Sequence, residues 1–305
     1  MPGKSDIIVI GSSNTDMVIK AAKFPIPGET ILGGEFFMFP GGKGANQAVA
    51  AARLGGKVAL VAKIGNDIFG QQALQQFKNE GIEVKHVITD VDHRSGVALI
   101  TVDAKGENTI VVAQGSNGAL MPEDLTQATP DIENAKIILI QLEIPIPTVV
   151  EATALAKRFG KKAILNPAPA AFLPSEIFDG LYLITPNESE AEAIAGIRVT
   201  NLNEAKQAAE KIREKGVKNV IITLGSAGAY IQNEDGGKHV GTPKVKAIDS
   251  TAAGDIFNGA LAVALSEGKT LEYAVTFANA AAALSVTRMG AQASAPFRNE
   301  LTHML

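Results

Sequence analysis

Short β-rich runs that alternate with helical ones predict an α/β fold: a doubly wound, mostly parallel central sheet flanked by helices. Two further observations fit that class. Acid and amide residues recur just past the apolar runs, at the strand ends where ligands bind in such sheets. Two β-rich stretches, about residues 15–40 and 95–114, lack a helix and predict a small second β-sheet. Residues 1–305 read as one domain, without an internal repeat, a low-complexity tract or a Pro/Ser-rich linker.

In chain order, DIIVIG is a buried strand, KGANQAVAAARLG an alanine-rich helix closed by Gly55, KVALVAKIG a strand and DIFGQQALQQFKNEG a helix. AKIILIQLE, KKAILN, LYLITPN and VKNVIITLG are strands; PTVVEATALAKRFG and NEAKQAAEKIREKG are helices. The last helices are expected at Asp255–Ser266 and Leu271–Arg288. SGVALITVDAKGENTIVVAQ reads as a hairpin, two β-branched runs around DAKGEN. Its apolar residues (Val97, Leu99, Ile100, Ile110, Val111, Val112) need burial, so the small sheet is a lid or a subunit interface rather than a bare surface hairpin.

With 46% hydrophobic residues and a formal net charge of -4, the chain can build a sizeable core and does not suggest a nucleic-acid or anionic-membrane surface. It has no cysteine, which excludes disulfides, thiol nucleophiles and thiolate metal sites; its four histidines show no zinc-ligand spacing. The apolar run Ile7–Ile10 is too short for a signal-peptide core, and no window nears the roughly 18 unbroken apolar residues of a membrane span. A soluble, cytoplasmic protein without nucleic-acid or membrane partners is expected.

Asn14, Asp16, Glu143, Asn166, Asn187, Glu188 and Glu190 sit at strand ends, and carboxylates and amides there suit the hydroxyls of a sugar or polyol. The scarcity of Trp and Tyr argues against extensive stacking on a sugar or base. In PGGKGANQ, glycines and Lys43 lead into a helix: either a ligand-approaching loop or a plain strand-to-helix turn, and not a P-loop by its spacing. Asn187 and Glu190 form a capping box that could also face a metal–phosphate ligand. TLGSAGAYI reads as a tight turn into a hairpin or as a nucleotide-binding edge. In DSTAAGDIFNGALAVAL, Asp255 is either a helix N-cap or a base beside a phosphate on free helix N–H groups.

GGKGANQAVAAARLG and DSTAAGDIFNGAL resemble the two signature segments of the ribokinase-like (PfkB-type) carbohydrate kinases, and GSSNTD, PGETILG, NPAPA, TPNESEAE, VIITLGSAG and VTRMGAQASAP extend the resemblance over essentially the whole chain. The resemblance implies ATP-dependent phosphorylation of D-ribose at its 5-hydroxyl. Asp255 would be the base; Ala252, Ala253 and Gly254 would form the anion hole. Asn14, Asp16, Gly42, Lys43, Asn46 and Glu143, with Asp255, would bind the sugar. Asn187, the Thr223–Gly228 turn (Thr223, Gly225, Ser226, Gly228), Gly254 and Asn279 would contact ATP, and Glu190 would serve Mg2+. A monovalent cation, K+, would lie at Asp249, Thr251, Ser285, Arg288, Gly290 and Ser294, held largely by backbone carbonyls. The small sheet would be a lid over the sugar and the contact of a homodimer.

Two departures stand out. TAAGD replaces the family's common TGAGD, and Asn279 occupies a position where some members carry another polar residue. The alternatives are a kinase for another sugar or nucleoside, or a non-catalytic sensor on the same fold; an intact Asp255 segment counts against the latter.

Overall fold

Strand β1 (Ile7–Ile10) explains the pattern of the main sheet. Ile7 and Val9 enter the core on one face, Ile8 and Ile10 the core on the other. A strand buried on both faces gains nothing from a polar alternate residue, so its sequence is continuously apolar. The computed structural model describes residues 4–304.

The chain then runs through β2 (Asn14–Lys20), β3 (Glu35–Gly41), α1 (Lys43–Arg53), β4 (Val58–Gly65), α2 (Ile68–Asn79), β5 (Glu83–Asp90), β6 (Gly96–Val102) and β7 (Asn108–Ala113). A 3-10 turn at Gly115–Ala119 precedes α3 (Thr129–Asn134), β8 (Ile137–Ile140), α4 (Ile146–Arg158), β9 (Lys162–Leu165), α5 (Ser175–Asp179) and β10 (Leu181–Ile184). The remainder is α6 (Glu188–Ala195), α7 (Leu202–Arg213), β11 (Asn219–Thr223), β12 (Ala229–Asn233), β13 (Gly236–Val240), α8 (Ala253–Ser266) and α9 (Leu271–Ser285).

Nine strands form the main sheet in the order β13-β12-β11-β10-β9-β8-β1-β4-β5. It is parallel from β11 to β5, with β12 and β13 as an antiparallel edge. Helices α1, α8 and α9 cover one face, and α3, α4, α5 and α7 the other. The strand order reverses between β1 and β8, so the loops leaving those two strands part and open a crevice at their carboxyl ends.

The second sheet has the order β3-β2-β6-β7. It is mixed: β2 runs parallel to β6, although β2–β3 and β6–β7 are antiparallel. Of the stretch expected to be β-like from residue 15 to 39, only the ends are strands; residues 21–34 form loop. The apolar residues expected to find burial do not all find it within the chain. Met38, Met17, Leu99 and Val111 are in register across four strands, and Leu99 is 56% and Val111 69% exposed.

Other departures are local. Helix α8 begins at Ala253 rather than Asp255, and α9 ends at Ser285 rather than Arg288. Strand β5 and the short helices α3 and α5 were not anticipated. β5 is a half-exposed edge strand, and α3 and α5 are only six and five residues long, too short for a clear helical period. Among the described residues no helix is long and apolar enough to cross a membrane.

Candidate active site

The N-terminus of α1 is built against the β1–β2 turn. Gly42, just before it, has φ 87°, and a Cβ there would lie 2.6 Å from the Asn14 nitrogen; the approach and the dihedral both require glycine. Glu143, beyond β8, satisfies this junction. One carboxylate oxygen accepts from Ser12 Oγ (2.5 Å) and from the Lys43 backbone N–H (2.9 Å), an acid at a helix start. Asn14, Gly42, Lys43 and Glu143 thus come together at the crevice.

Asp16 shares a face of β2 with Asn14 and lies near Glu143, Asp255 and Lys43. Burial, then the negative charges of Glu143 and Asp255, push its carboxyl up from 3.8 to about 6, against the pull of Lys43. A folded-state value above the unfolded one means the native protein holds this proton more tightly than the unfolded chain. The associated stability is fully present below about pH 4 and is lost as pH rises through about 6. Asp16→Asn is therefore expected to be more stable than the parent at pH 7.5 by on the order of 1–3 kcal/mol, with the gap closing near pH 4. Thermal unfolding at the two pH values checks this; a gap independent of pH would contradict it.

Asp255 is not the N-cap of α8. That place belongs to Ala252, whose φ of 58° is the only positive value among the described non-glycine residues. A left-handed alanine costs roughly 1–2 kcal/mol, which explains why glycine is common there in the resembling family. Asp255 occupies the third helical position, and its carboxylate turns away from its own helix start. Oδ2 accepts from Asn46 Nδ2 (2.9 Å) and Oδ1 from Gln47 Nε2 (3.0 Å). Helices α1 and α8 can approach this closely because Gly259 faces α1: a Cβ there would meet Ala50 Cβ and the Gln47 carbonyl at 2.8 Å. Of the expected anion-hole groups, the Ala253 N–H bonds to the Ser250 carbonyl (3.2 Å), and the first bond back along the helix is from Ile256 to Ala252 (2.9 Å). Between them, the N–H groups of Gly254 and Asp255 take no backbone partner among the described residues.

Gln47 was not singled out from sequence, nor were Gln141, Thr185 and Asn258. Gln141 Nε2 donates to Gln47 Oε1 (2.6 Å), so the Gln47 amide must turn its N–H groups toward Asp255 and Asn166. Asn258 donates to the Gly254 carbonyl (2.8 Å) and accepts from Thr185 Oγ1 (2.7 Å). A signal for them existed: Gln141 follows a wholly apolar strand, and Asn258 interrupts the otherwise uncharged, apolar run from Ile256 to Leu265. All four are buried, and a buried polar group needs partners.

Thr185 and Asn258, with Asn166 and Ala252 to Asp255, line one side of a cleft of about 190 Å3 that is also lined by Lys43, Asn187, Glu190, Thr223 and Ser250. Asp255, ahead of Glu143, Glu190 and Asp16, holds the Lys43 ammonium above its ordinary value, against desolvation. Asn187 caps α6: its Oδ1 accepts from the Glu190 N–H (2.8 Å), and Glu190 Oε2 accepts from the Asn187 N–H (2.9 Å). Burial raises the Glu190 carboxyl. Beyond Thr223 the chain makes a one-turn 3-10 segment, Gly225–Ala227, before Gly228, and Ser226 is exposed. Asn279 stands apart from the cleft lining. Its amide donates to the carbonyls of Val240 (3.2 Å) and Gly241 (3.0 Å), tying α9 to the end of β13.

The residues assigned to a monovalent cation fall on the loop before α8 and on the end of α9 with the loop that follows it. Asp249 joins them: Oδ1 accepts from Thr251 N–H and Oγ1 (2.9 and 2.6 Å), Oδ2 from the Gly290 N–H (2.8 Å). The Ser285 and Ser294 hydroxyls donate to carbonyls of their own turns, and the Arg288 guanidinium pairs with Glu300. No cluster of three or more His, Asp or Glu suited to a metal occurs among the described residues. What the loops offer a cation is one carboxylate and neutral oxygens, a donor set that suits a weakly bound hard ion.

A carboxylate at a helix start beside unpaired N–H groups, an ammonium and an acid-lined crevice defines a small-molecule phosphotransferase type of site. The chain belongs to the pfkB family of carbohydrate kinases, whose profile matches residues 4–298. Among individual proteins, it is 42% identical to the ribokinase of Haemophilus influenzae over 302 residues, 99% of each chain. The ribokinase structure from Thermotoga maritima superposes with a TM-score of 0.90 at 44% identity, covering 98% of this chain and 99% of that one. The Arabidopsis thaliana ribokinase complexed with ribose and ATP superposes with a TM-score of 0.94 at 30% identity, covering 99% of both.

Proposed function

We propose that this chain is an ATP-dependent kinase that phosphorylates D-ribose at its 5-hydroxyl, giving ribose 5-phosphate and ADP. The observation that carries the reading is Asp255: a carboxylate oriented by two amide donors, next to the unpaired N–H groups of Gly254 and Asp255. The sugar lies against Asn14, Asp16, Gly42, Lys43, Asn46 and Glu143. Asn46 Oδ1 is one of two buried side-chain acceptors without a partner among the described residues, as expected of a group that meets a substrate hydroxyl. Asp255 takes the 5-hydroxyl proton as that oxygen bonds to the γ-phosphorus. The bond from phosphorus to the bridging oxygen breaks, ADP leaves with that electron pair, and the proton passes from Asp255 to water. The free N–H groups and Lys43 hold the charge on the transferring phosphoryl oxygens.

Mg2+ bound with the nucleotide would neutralise phosphate charge, with Glu190 placed to hold it through water. Asn187 and the Thr223–Gly228 turn would border the nucleotide. K+ would sit between the loops that Asp249 joins, steadying the peptide planes ahead of α8. K+ is accordingly expected to raise turnover over a buffer free of K+ and Na+; a flat response removes that site. The small sheet would close over the sugar, and its Met38–Met17–Leu99–Val111 row, exposed except at the half-buried Met17, would be covered in a homodimer. A monomer mass by light scattering would remove the dimer.

The test is ADP release across ribose, deoxyribose, arabinose, fructose and adenosine, with Asp255→Asn as control. Ribose is expected to give the largest kcat/KM. Absence of sugar-dependent ADP release would overturn the kinase reading, and preference for another acceptor would overturn ribose.

A further inference from the structure

Asn117 lies in the Gly115–Ala119 turn after β7, outside the cleft lining, and is 1% exposed. Its side chain meets the β1–β2 turn at three points. Nδ2 donates to the Ser13 carbonyl (3.1 Å) and to Asn14 Oδ1 (2.7 Å), and Oδ1 accepts from the Ser13 N–H (2.8 Å). The turn carrying Asn117 is itself tied to the body of the protein. Ser116 Oγ donates to the Lys63 carbonyl of β4 (2.9 Å), and the Ser116 N–H to the Arg94 carbonyl (2.7 Å).

Asn14 forms the first rung of the small sheet, opposite Gly41 on β3 and Gly96 on β6. A Cβ at Gly96 would lie 2.2 Å from both Asn117 Nδ2 and Asn14 Oδ1, so the rung closes tightly around that hydrogen bond. The orientation of both amides follows. Turning Asn117 over would set its oxygen against two acceptors and its NH2 against a donor. Asn14 Oδ1 is therefore held toward Asn117. Asn14 Nδ2 takes no partner among the described residues, leaving this side chain a donor for a ligand.

We propose that Asn117 is a positioning residue for sugar recognition, acting through Asn14: it sets which end of the Asn14 amide meets the substrate and ties the foot of the small sheet to β4. The sugar hydroxyl at Asn14 must then act as an acceptor. The proposal rests on the sugar-kinase reading above. It is distinct from the lining residues because Asn117 touches no substrate; it removes the choice of amide orientation that Asn14 would otherwise have on binding. Losing that restraint leaves Asn14 free to present its oxygen, and leaves the buried Ser13 N–H and carbonyl without their partner.

The test is steady-state kinetics and calorimetric sugar binding on the full chain, with ribose and ATP as probes. Asn117→Ala is expected to raise KM for ribose about tenfold or more while kcat stays within about threefold and KM for ATP is unchanged. Adding the same change to Asn14→Ala is expected to raise ribose KM by less than about twofold, since the residue through which it acts is gone. Unaltered ribose KM in folded Asn117→Ala overturns the proposal, and so does an undiminished effect in the Asn14→Ala background, which would mark a merely structural role. Where Asn117→Ala does not fold, the isosteric Asn117→Asp sets an oxygen against Asn14 Oδ1, and the same split between ribose KM and kcat is required of it. A parent protein inactive on ribose would instead count against the ribose assignment; the measurements are then made with whichever sugar of the panel it phosphorylates.

Discussion

Asp255→Asn is expected to lower kcat by about 10²–10⁴-fold while sugar affinity largely survives. An amide cannot take the hydroxyl proton, yet its shape matches the carboxylate. The surroundings can also adapt. The new NH2 would oppose the Asn46 NH2 that now donates to Oδ2, but turning Asn46 over sets its unpartnered buried Oδ1 against the new NH2 and moves the Asn46 NH2 to where a substrate hydroxyl can accept from it instead of donating. The remaining oxygen can still accept from Gln47. The fold and the binding surface should therefore persist, and the loss should fall on turnover. Single-turnover phosphorylation and sugar binding measured on the same preparation separate the two. Turnover near that of the parent would remove Asp255 as the base.

Lys43→Met is expected to lower kcat/KM by about 10²–10³-fold. Asp255, Glu143, Glu190 and Asp16 all act on the Lys43 ammonium, with Asp255 the strongest influence. Four carboxylates share this one close cation, so its removal is not a surface charge change. Lys43 also pulls the Asp16 carboxyl down, so its loss shifts that carboxyl further up. A substrate then loses a charged contact to its phosphoryl group, and more of Asp16 is neutral at the acid end of the pH range. The variant's sugar affinity should therefore rise with pH more than the parent's. Steady-state kinetics from pH 6 to 9 tests this; a kcat/KM within about threefold of the parent would place Lys43 outside the chemistry.

Much of the architecture was legible because the physics that shapes it is local. A four-residue run such as Ile7–Ile10 has no polar residue, which suits only a strand with both faces covered. Alanines 45, 48, 50, 51 and 52 in one helix announce a close helix contact before its partner is known. The strand-end acids and amides gather at one edge of the sheet because parallel strands all point the same way. Strand β5 and helices α3 and α5 were missed because a half-exposed edge strand and one-turn helices carry too little apolar pattern to register.

The site was less legible, for reasons of distance. From its own segment Asp255 read equally as a helix cap or as a base, because an acid at a helix start usually is a cap; only the family resemblance favoured the base. Its partners, Asn46 and Gln47, lie 209 and 208 residues away, and nothing in DSTAAGD says that Ala252 takes the left-handed turn and frees the carboxylate to face another helix. Asn279 read as a ligand contact; nothing in its sequence neighbourhood told that its Nδ2 donates to two backbone carbonyls at the end of β13.

By itself the sequence determined the class of fold, the strand edge at which polar groups collect and the two glycine-rich helix starts, since period, burial and backbone freedom are properties of neighbouring residues. Only the tertiary structure decided the parallel pairing of β2 with β6, the Gln141–Gln47–Asp255 chain and the Asn117–Asn14 contact. A hydrogen bond between side chains a hundred residues apart leaves no periodicity behind: it exists because the strand order reverses between β1 and β8 and two glycines let α1 and α8 close upon the opening.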